Sequence, residues 1–418
     1  MFTSVSVSWS GGDINLPGSW TFLGDAVFNV SGSGSSATGP GSILLTGAAM
    51  LKKTGTGVVT IGTTLNTEAQ TTVAVMSGRL LLIGTGLWTG TASTASADAT
   101  LELRSAAAGY TLSSTASLTG TSGLVVVSGG VVTVNTSVAL TAGVACSVTG
   151  GRLVLGASTV FAPVTTVSGG QLSVAADVNV SSTLDVSGDG AVAVGPGSTL
   201  RLGGGGSWSP SSSSGVSLGG AGAVLSFVNG TYSLDSASAL SGSTGQVQVT
   251  GAAAVTVTAA LAVTAGATCA ISDGGTLTLS AGAASLSPAV TVSASGTLRV
   301  TTNVSLPAAG GLVVASGGSA EVVAGTLSVL GGCRIDLGGA VNVNTGAQLT
   351  VANGCRQLGG TIDGAGLVVA NGGVYEMSGG SWTGSGIFRL VSTGTLALTG
   401  SVSLARSVRL LCLGNWVS

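Results

Sequence analysis

The sequence is poor in the residues on which most enzymes and nucleic-acid-binding proteins depend. It contains no histidine, only 12 basic and 14 acidic residues among 418, and 4% aromatic residues. Without histidine, no side chain has an ordinary pKa near neutrality that would suit it as a general base. The basic residues are scattered singly except for Lys52 and Lys53, so no positive stripe matches a phosphate backbone. We therefore expect no enzymatic activity, no catalytic or metal site, no cofactor and no nucleic-acid partner.

Proline and cysteine are also scarce. Seven prolines without a Gly-X-Y period exclude collagen, and five cysteines without a C-x-x-C step exclude zinc ribbons and thioredoxin-like sites. The chain is instead rich in glycine, with 72 residues, and 44% apolar with few aromatics. Branched side chains favour strands and glycine disfavours helix, so the composition predicts an all-β protein. The apolar share and a net charge of −2 argue against disorder.

A short phrase recurs along the chain: a glycine-containing turn, then an apolar residue, any residue, and another apolar residue. Gly296-Thr297-Leu298-Arg299-Val300 is one copy, in which Leu298 and Val300 are expected to point inward and Arg299 outward. Successive copies lie about 20 residues apart, which is the signature of a stacked repeat. The spacings that show it are Leu153 to Leu172, Leu172 to Val192, Val255 to Leu277, Leu277 to Leu298, and Leu327 to Leu349.

These spacings predict a single-stranded parallel β-helix, or β-solenoid, with about 20 residues per coil. Each coil would cover the apolar face of the next. We interpret residues 1–45 as an N-terminal cap or irregular first coils and 46–400 as the β-helix. Gly/Ser-rich or weakly patterned stretches near 83–120, 203–220 and 232–245 are interpreted as loop insertions, and 401–418 as a last strand, complete or truncated. The uncharged run from Gly251 to Ile271 is rich in threonine, so we expect no transmembrane helix.

Two cysteines form the strongest local signal. Gly332-Cys333-Arg334 and Gly354-Cys355-Arg356 are near-copies one coil apart, so the two sulfur atoms are expected to stack on neighbouring strands. Strand spacing lies within the range for a disulfide. The pattern therefore predicts either a Cys333–Cys355 disulfide or two stacked, reduced core thiols.

Carboxylates and glycosylation sequons are the remaining candidate sites. Asp185 and Asp189, with Asp177 nearby in sequence, form the closest carboxylate set, but we favour the simpler interpretation of a solvated strand residue and a turn former over a catalytic pair. Trp88, Trp208 and Trp382 could stack on sugar rings or pack in the core. Asn-x-Ser/Thr sequons, which would matter in a secreted glycoprotein, occur at Asn29, Asn135, Asn179, Asn229 and Asn303.

The phrases Gly379-Gly380-Ser381-Trp382-Thr383-Gly384-Ser385-Gly386 and Ser295-Gly296-Thr297-Leu298-Arg299-Val300 carry a resemblance. The chain resembles the Gly/Ser/Thr/Val-rich β-helices of large surface proteins, such as autotransporter passengers and filamentous adhesins, over roughly residues 45–400. The resemblance implies a right-handed β-helix, an extracellular or cell-surface location, and a structural or adhesive function. Partners would be carbohydrate or cell-surface proteins held by weak multivalent contacts. The alternative is a carbohydrate-active, pectin-lyase-like β-helix enzyme or its inactive relative.

Overall fold

The computed structural model describes most of the chain. The described residues are 1–105, 109–113, 115–135, 139–140, 143–156, 159–211, 214–236, 239–242, 244–259, 262–263, 267–280, 284–285, 289–308, 310–391 and 394–412. Within these ranges there is no helix, and strands stack in parallel as a β-solenoid with about 22 residues per coil. The all-β solenoid predicted from the sequence is thus confirmed. The chain divides into two compact units, Met1–Gly204 and Gly205–Ser418.

The strands follow from the alternation of apolar and polar residues. In Thr276–Leu279, for example, Leu277 and Leu279 are buried whereas Thr276 and Thr278 are partly exposed. Because successive side chains on a strand point to opposite faces, each apolar pair faces the interior. Backbone hydrogen bonds then join each strand to the equivalent strand of the next coil, so the aliphatic residues form stacked inward rows.

In the first unit, three strands form each coil, and within the unit a strand pairs in parallel with the strand three places later, as Arg79–Leu82 does with Thr100–Arg104. The strands of this unit are β1 Phe2–Thr3, β2 Ser6–Trp9, β3 Ile14–Asn15, β4 Trp20–Leu23, β5 Val27–Val30, β6 Ser35–Thr38, β7 Ser42–Leu45, β8 Met50–Lys53, β9 Val58–Ile61, β10 Thr64–Thr67, β11 Thr72–Val75, β12 Arg79–Leu82, β13 Gly86–Trp88, β14 Thr91–Thr94, β15 Thr100–Arg104, β16 Tyr110–Leu112, β17 Ser117–Gly120, β18 Leu124–Gly129, β19 Val131–Val134, β20 Ala139–Leu140, β21 Ala145–Val148, β22 Arg152–Leu155, β23 Thr159–Phe161, β24 Thr165–Val167, β25 Gln171–Val174, β26 Val178–Val180, β27 Leu184–Gly188, β28 Ala191–Val194 and β29 Thr199–Leu202.

In the second unit, several strands are long enough to run through a corner and belong to two faces of the coil. One example is β34, which pairs with both β36 and β37. The strands of this unit are β30 Gly206–Pro210, β31 Gly215–Leu218, β32 Val224–Leu234, β33 Leu240–Gly242, β34 Gly245–Val257, β35 Ala262–Val263, β36 Ala267–Ile271, β37 Thr276–Leu279, β38 Ala284–Ser285, β39 Ala289–Val292, β40 Thr297–Val300, β41 Val304–Leu306, β42 Leu312–Val314, β43 Ser319–Val322, β44 Thr326–Val329, β45 Cys333–Ile335, β46 Ala340–Val343, β47 Gln348–Val351, β48 Cys355–Gly364, β49 Leu367–Asn371, β50 Val374–Trp382, β51 Ile387–Val391, β52 Thr395–Leu404 and β53 Arg409–Cys412.

The register confirms the repeat spacing residue by residue. Leu153 pairs with Leu172, and Leu172 with Val192. The other three spacings are also rungs of the ladder: Val255 with Leu277, Leu277 with Leu298, and Leu327 with Leu349. Coil length varies because the corners differ in length while the strands keep register.

One corner of the second unit repeats an unusual backbone conformation. It precedes β37, β40, β43 and β46, and it has positive φ at Gly274 (90°), Ser295 (63°), Gly317 (73°) and Gly338 (77°). Glycine adopts this left-handed region without steric cost, which explains why a glycine so often precedes the Leu-x-Leu phrase. The Ser295 amide donates to the Gly317 carbonyl at 2.8 Å, so the corners are also joined from coil to coil.

Strands occupy the segments that the sequence analysis interpreted as a cap or irregular first coils and as loop insertions, and that division of the chain stays a prediction. Residues 1–45 hold β1–β7, and β1, β4 and β7 pair in register like later coils. The stretches expected as loop insertions carry strands as well, including β14 within 83–120, β30 and β31 within 203–220, and β33 within 232–245. These strands form although most of their side chains are small, since ladder hydrogen bonds need only the backbone, and inward residues such as Trp208 and Val216 are buried in the core. In the last segment, strands reach Cys412, and 413–418 lie outside the described residues.

The described residues of the uncharged run from Gly251 to Ile271 include the end of β34 and all of β35 and β36. No helix among the described residues is long and apolar enough to cross a membrane.

Candidate functional surface

The outer side of one face of the second unit carries two rows of polar side chains; we call it the polar face. It is formed by β37, β40, β43, β46, the later part of β34, and the parts of β48 and β50 that follow their corners. One row contains Thr276, Thr297, Ser319, Ala340, Thr361 and Ser381, and the other contains Thr256, Thr278, Arg299, Glu321, Asn342 and Asp363. Neighbouring rungs are about 4.8 Å apart, so hydroxyl, amide and charged groups recur at a regular spacing.

Three ion pairs lie on the outer surface of this unit among the described residues: Arg299–Glu321, Arg334–Asp336 and Arg356–Glu376. Arg299 Nε lies 3.6 Å from Glu321 Oε2 on the next rung of the polar face. On another face, Arg334 binds Asp336 through Nε–Oδ1 (2.6 Å) and Nη2–Oδ2 (2.8 Å). That bidentate contact lowers the pKa of the Asp336 carboxyl below its ordinary value. These exposed pairs stabilise the fold little but leave the surface close to neutral.

Cys333 and Cys355 occupy adjacent rungs of β45 and β48. Their Cα atoms are 4.3 Å apart, and the two sulfur atoms are bonded to each other. Both side chains point inward and are buried, whereas Arg334 and Arg356 of the same strands point outward. The register places the two cysteines opposite each other, and the Cys333–Cys355 disulfide stays a prediction that a non-reduced peptide map can test.

Asp185 and Asp189 lie close in sequence but in different settings. Asp185 is a partly exposed residue on the outer side of β27, opposite Thr166 of the preceding coil, and Asp189 is exposed in the turn after β27. Asp177 accepts a hydrogen bond from the Thr199 amide at 2.9 Å, which is a structural task. Within the part of the chain that the structure describes, no group of three or more potential metal ligands occurs.

The five sequons lie at different depths. Asn135, Asn179, Asn229 and Asn303 are exposed, whereas Asn29 is half-buried and accepts a hydrogen bond from Thr54 Oγ1 at 3.3 Å. Asn303 Oδ1 accepts from the Thr326 amide at 2.9 Å. Attachment of a glycan at any of them stays a prediction.

The three tryptophans weighed as sugar-stacking residues are all buried: Trp88, Trp208 and Trp382 are 1%, 0% and 4% exposed. Their ring faces pack in the core. Trp382 Nε1 donates to Gln357 Oε1 at 2.8 Å, and Gln357 Nε2 donates to the Gly360 carbonyl at 2.8 Å. The fully buried Gln357 was not singled out from the sequence, although alternation from the inward Cys355 places it inside.

A second buried polar residue that the sequence analysis did not identify is Lys53. It is fully buried, and its ammonium donates to the carbonyls of Thr54 (2.7 Å) and Gly55 (2.6 Å), with a longer contact to Ser77 O (3.4 Å). Burial lowers the pKa of Lys53, an effect partly offset by Asp98. Alternation from the inward Leu51 would have identified it, because residues two apart share a face.

Another covered charge lies on the outer side of the first unit. Glu102 is 3% exposed although it points outward, because Arg79 and Ser128 on the neighbouring coils contact its carboxylate. The three side chains occupy successive coils, so this contact ties three coils together. Arg79 Nε is buried without a hydrogen-bond partner, and the contacts of Glu102 with Arg79 and Ser128 are structural ones that hold neighbouring coils together.

No family model matches the chain, and no curated protein matches it. Among solved structures, the chain is similar to the crystal structure of a TibC-catalyzed hyper-glycosylated TibA fragment, residues 55–350. The two are 15% identical, the match covers 86% of this chain and all of the other, and the TM-score is 0.21. Conclusions about fold and surface therefore come from this chain's own strands and side chains.

Proposed function

We propose that the chain is an extracellular structural or adhesive surface protein that presents a rigid β-solenoid, and that it is not an enzyme. The observation that carries the proposal is the polar face, where short hydroxyl, amide and paired charged side chains repeat in register on successive coils. A regular row of weak hydrogen-bonding groups suits contact with extended polar surfaces, such as carbohydrate chains or other cell-surface proteins.

The mechanism is multivalency on a stiff scaffold. A single hydroxyl contact contributes little in water, about 0.5–1.5 kcal/mol. When one contact forms, the equivalent group on the next rung is already positioned, so further contacts need little additional ordering. Buried inward residues such as Leu298 and Val300, both 0% exposed, hold the rungs in place and keep the outward groups aligned.

The location is tested by protease shaving of intact cells that express the chain in its native context. We expect loss of the chain from the cells under conditions that leave a cytoplasmic marker intact. Protection of the chain from protease in intact cells, with digestion only after lysis, would contradict a surface location.

Adhesion is tested on beads coated with the purified chain and presented to cultured cells. We expect binding to fall several-fold when Thr278, Thr297 and Ser319 are all changed to alanine, because each of three neighbouring strands loses one hydroxyl. The matched control changes Ser305, Ser328 and Thr350, outward residues of β41, β44 and β47 on another face of the same unit, to alanine. Equal binding by all three bead types would remove the polar face from the proposal.

The enzymatic alternative has its own test. Asp185 and Asp189 are the carboxylates that it would use, so the double change to asparagine should abolish any polysaccharide cleavage by the purified chain. We expect the unmodified chain to release no reducing ends or unsaturated products from pectin. Cleavage that disappears in the double variant would establish the alternative instead.

A further inference from the structure

Asparagine is followed by glycine at three places in the chain: Asn229-Gly230, Asn353-Gly354 and Asn371-Gly372. All three asparagines are exposed. The backbone nitrogen of the following residue can attack an asparagine carboxamide and close a five-membered ring, and a glycine there has no Cβ atom to hinder the closure. The three steps therefore share one reaction, and their surroundings decide which of them undergoes it fastest.

At Asn229 the two reacting groups already lie side by side. Asn229 is in β32, at the point where the register of this strand against β34 shifts between Phe227 and Asn229. The Gly230 amide donates a hydrogen bond to Asn229 Oδ1 at 2.9 Å, so its nitrogen lies beside the carboxamide carbon that carries this oxygen. Gly230 has a φ of 92°, a conformation that residues with a side chain rarely adopt. Nucleophile and electrophile are thus held together before any reaction.

A buried tyrosine contacts the same peptide group. The Tyr232 hydroxyl donates a hydrogen bond to the Asn229 carbonyl oxygen at 2.8 Å, and the Tyr232 side chain is 0% exposed. When the Gly230 amide loses its proton, the negative charge spreads from the nitrogen onto this carbonyl oxygen, because the two atoms belong to one resonant peptide unit. A hydrogen bond to a charged oxygen is stronger than one to a neutral oxygen. Tyr232 therefore stabilises the deprotonated amide more than the protonated one.

The other two Asn-Gly steps have different surroundings. Asn353 Nδ2 donates a hydrogen bond to the Leu330 carbonyl on the preceding coil, which holds the carboxamide there. Asn371 is the last residue of β49 and is held in the ladder with β51. The tyrosine nearest to both steps in sequence, Tyr375, directs its hydroxyl to Gln357 Oε1 at 3.5 Å. Among the described residues, a tyrosine hydroxyl on the asparagine carbonyl thus distinguishes the first step from the other two.

We propose that Asn229 is a site of spontaneous deamidation through a cyclic succinimide. A base from solvent removes the Gly230 amide proton, and the nitrogen attacks Asn229 Cγ. The N–Cγ bond forms, the Cγ–Nδ2 bond breaks, and Nδ2 takes a proton from water and leaves as ammonia. Water then opens the ring at either carbonyl. Cleavage of the new N–Cγ bond gives aspartate, and cleavage of the original peptide C–N bond gives isoaspartate.

Deamidation changes the surface at β32 in charge and in backbone length. Both products carry a carboxylate in place of a neutral carboxamide, so one added negative charge takes the net charge from −2 to −3. Isoaspartate also lengthens the backbone by one atom between Asn229 and Gly230. The extra atom falls where β32 already shifts its register against β34, at an existing irregularity of the ladder.

The test uses the full chain from a host that attaches no N-glycans, because a glycan on Asn229 Nδ2 would alter the leaving group. The folded chain is incubated at physiological temperature and then unfolded and digested with chymotrypsin. Mass spectrometry follows the gain in mass from replacing NH2 by OH at each Asn-Gly step. We expect Asn229 to react at least about tenfold faster than Asn353 or Asn371. Tyr232→Phe should slow the reaction at Asn229 about tenfold, because one hydrogen bond to the developing charge is lost.

Two controls separate the effect of the Tyr232 hydroxyl from that of sequence and folding. Tyr375→Phe removes the hydroxyl of another buried tyrosine in the same unit and should leave the rate at Asn229 unchanged. In guanidinium chloride, the three Asn-Gly steps should react within about threefold of one another, because the contacts that hold the groups together are gone. Far-UV circular dichroism verifies that each variant is folded.

Two results overturn the inference. The first is a folded wild-type chain in which Asn229 reacts no faster than Asn353 and Asn371, a comparison that needs no variant. The second is a folded Tyr232→Phe chain that reacts at Asn229 as fast as Tyr375→Phe. Both measurements use the purified chain, so their outcome is independent of the proposed surface location and adhesion.

Discussion

Removing the covalent link between β45 and β48 should loosen the coils that it joins. Cys333 and Cys355 are 22 residues apart, and cross-linking a loop of that length stabilises a fold by about 3 kcal/mol through the entropy removed from the open state. The perturbation is the double change Cys333→Ala and Cys355→Ala. Because every 1.4 kcal/mol is tenfold, the local opening equilibrium should rise by about two orders of magnitude.

The chain supplies its own control for the loss of buried sulfur. The Cys269 side chain points inward and is 3% exposed. It lies in the same inward row of side chains as Cys333, because successive rungs pair Cys269 with Val290, Val290 with Leu312, and Leu312 with Cys333. Cys269→Ala removes a similar volume without breaking a cross-link. We expect it to cost about 1 kcal/mol, the usual size of a point-mutation effect.

Hydrogen exchange measured by mass spectrometry on peptides that cover β45 and β48 is the assay, because it reports local opening rather than global unfolding. A non-reduced peptide map first verifies the link between the two cysteines. Wild-type protein reduced in denaturant and refolded in the presence of reductant should exchange as fast as the double variant. If the double variant exchanges no faster than Cys269→Ala, or the peptide map finds two free thiols, the link contributes nothing and the reasoning is refuted.

Three further predictions concern stability, pH and thiol chemistry. Leu298→Ala should destabilise the second unit by about 2–5 kcal/mol through loss of buried contacts, whereas Arg299→Ala should cost at most about 1 kcal/mol; equal midpoints in urea would contradict the assigned faces. Lys53→Met should leave stability near neutral pH unchanged or raise it by about 1–4 kcal/mol. The pKa of Lys53 is lowered in the folded chain, whereas in the unfolded chain it stays near 10.5. At pH values between the two, Lys53 is protonated only in the unfolded chain. The unfolded chain therefore binds more protons, and the stability of the wild type rises with pH in this range. The difference in unfolding free energy between Lys53→Met and the wild type should therefore shrink in urea titrations at alkaline pH. A difference that stays constant with pH would contradict the lowered pKa of Lys53. Burial raises the pKa of Cys146 and Cys269 to about 12, so neither thiol should react with iodoacetamide in the native chain near pH 8. Peptide mass spectrometry should find both unmodified in the native chain and alkylated after unfolding. Alkylation of either thiol in the native chain would contradict its burial.

The repeat was predictable because one physical constraint acts on every coil. Inward residues must be apolar, so pairs such as Leu277 and Leu298 mark the register directly in the sequence. The coil is nearer 22 residues than the 20 expected. The difference arises at the corners, whose lengths are not constrained by the ladder and are therefore hidden from a spacing argument based on a few copies.

The buried polar residues were predictable in principle but were not identified. Lys53 and Gln357 lie on inward positions that alternation assigns, yet a lysine or glutamine normally signals an outward position. Each is tolerated because backbone carbonyls or a tryptophan nearby satisfy its hydrogen bonds, and such tertiary partners are not visible in sequence.

At the left-handed corner before β37, β40, β43 and β46, insertions and deletions of residues can be tolerated during evolution. Each strand has its own alternation of inward and outward side chains, which begins again after every corner. A residue gained or lost in a corner therefore alters the outline of one coil without exchanging inward and outward side chains. The same event inside a strand would turn every following residue of that strand to the opposite side. Variation in length should therefore accumulate at corners and reshape the outer surface, while the aliphatic column stays intact.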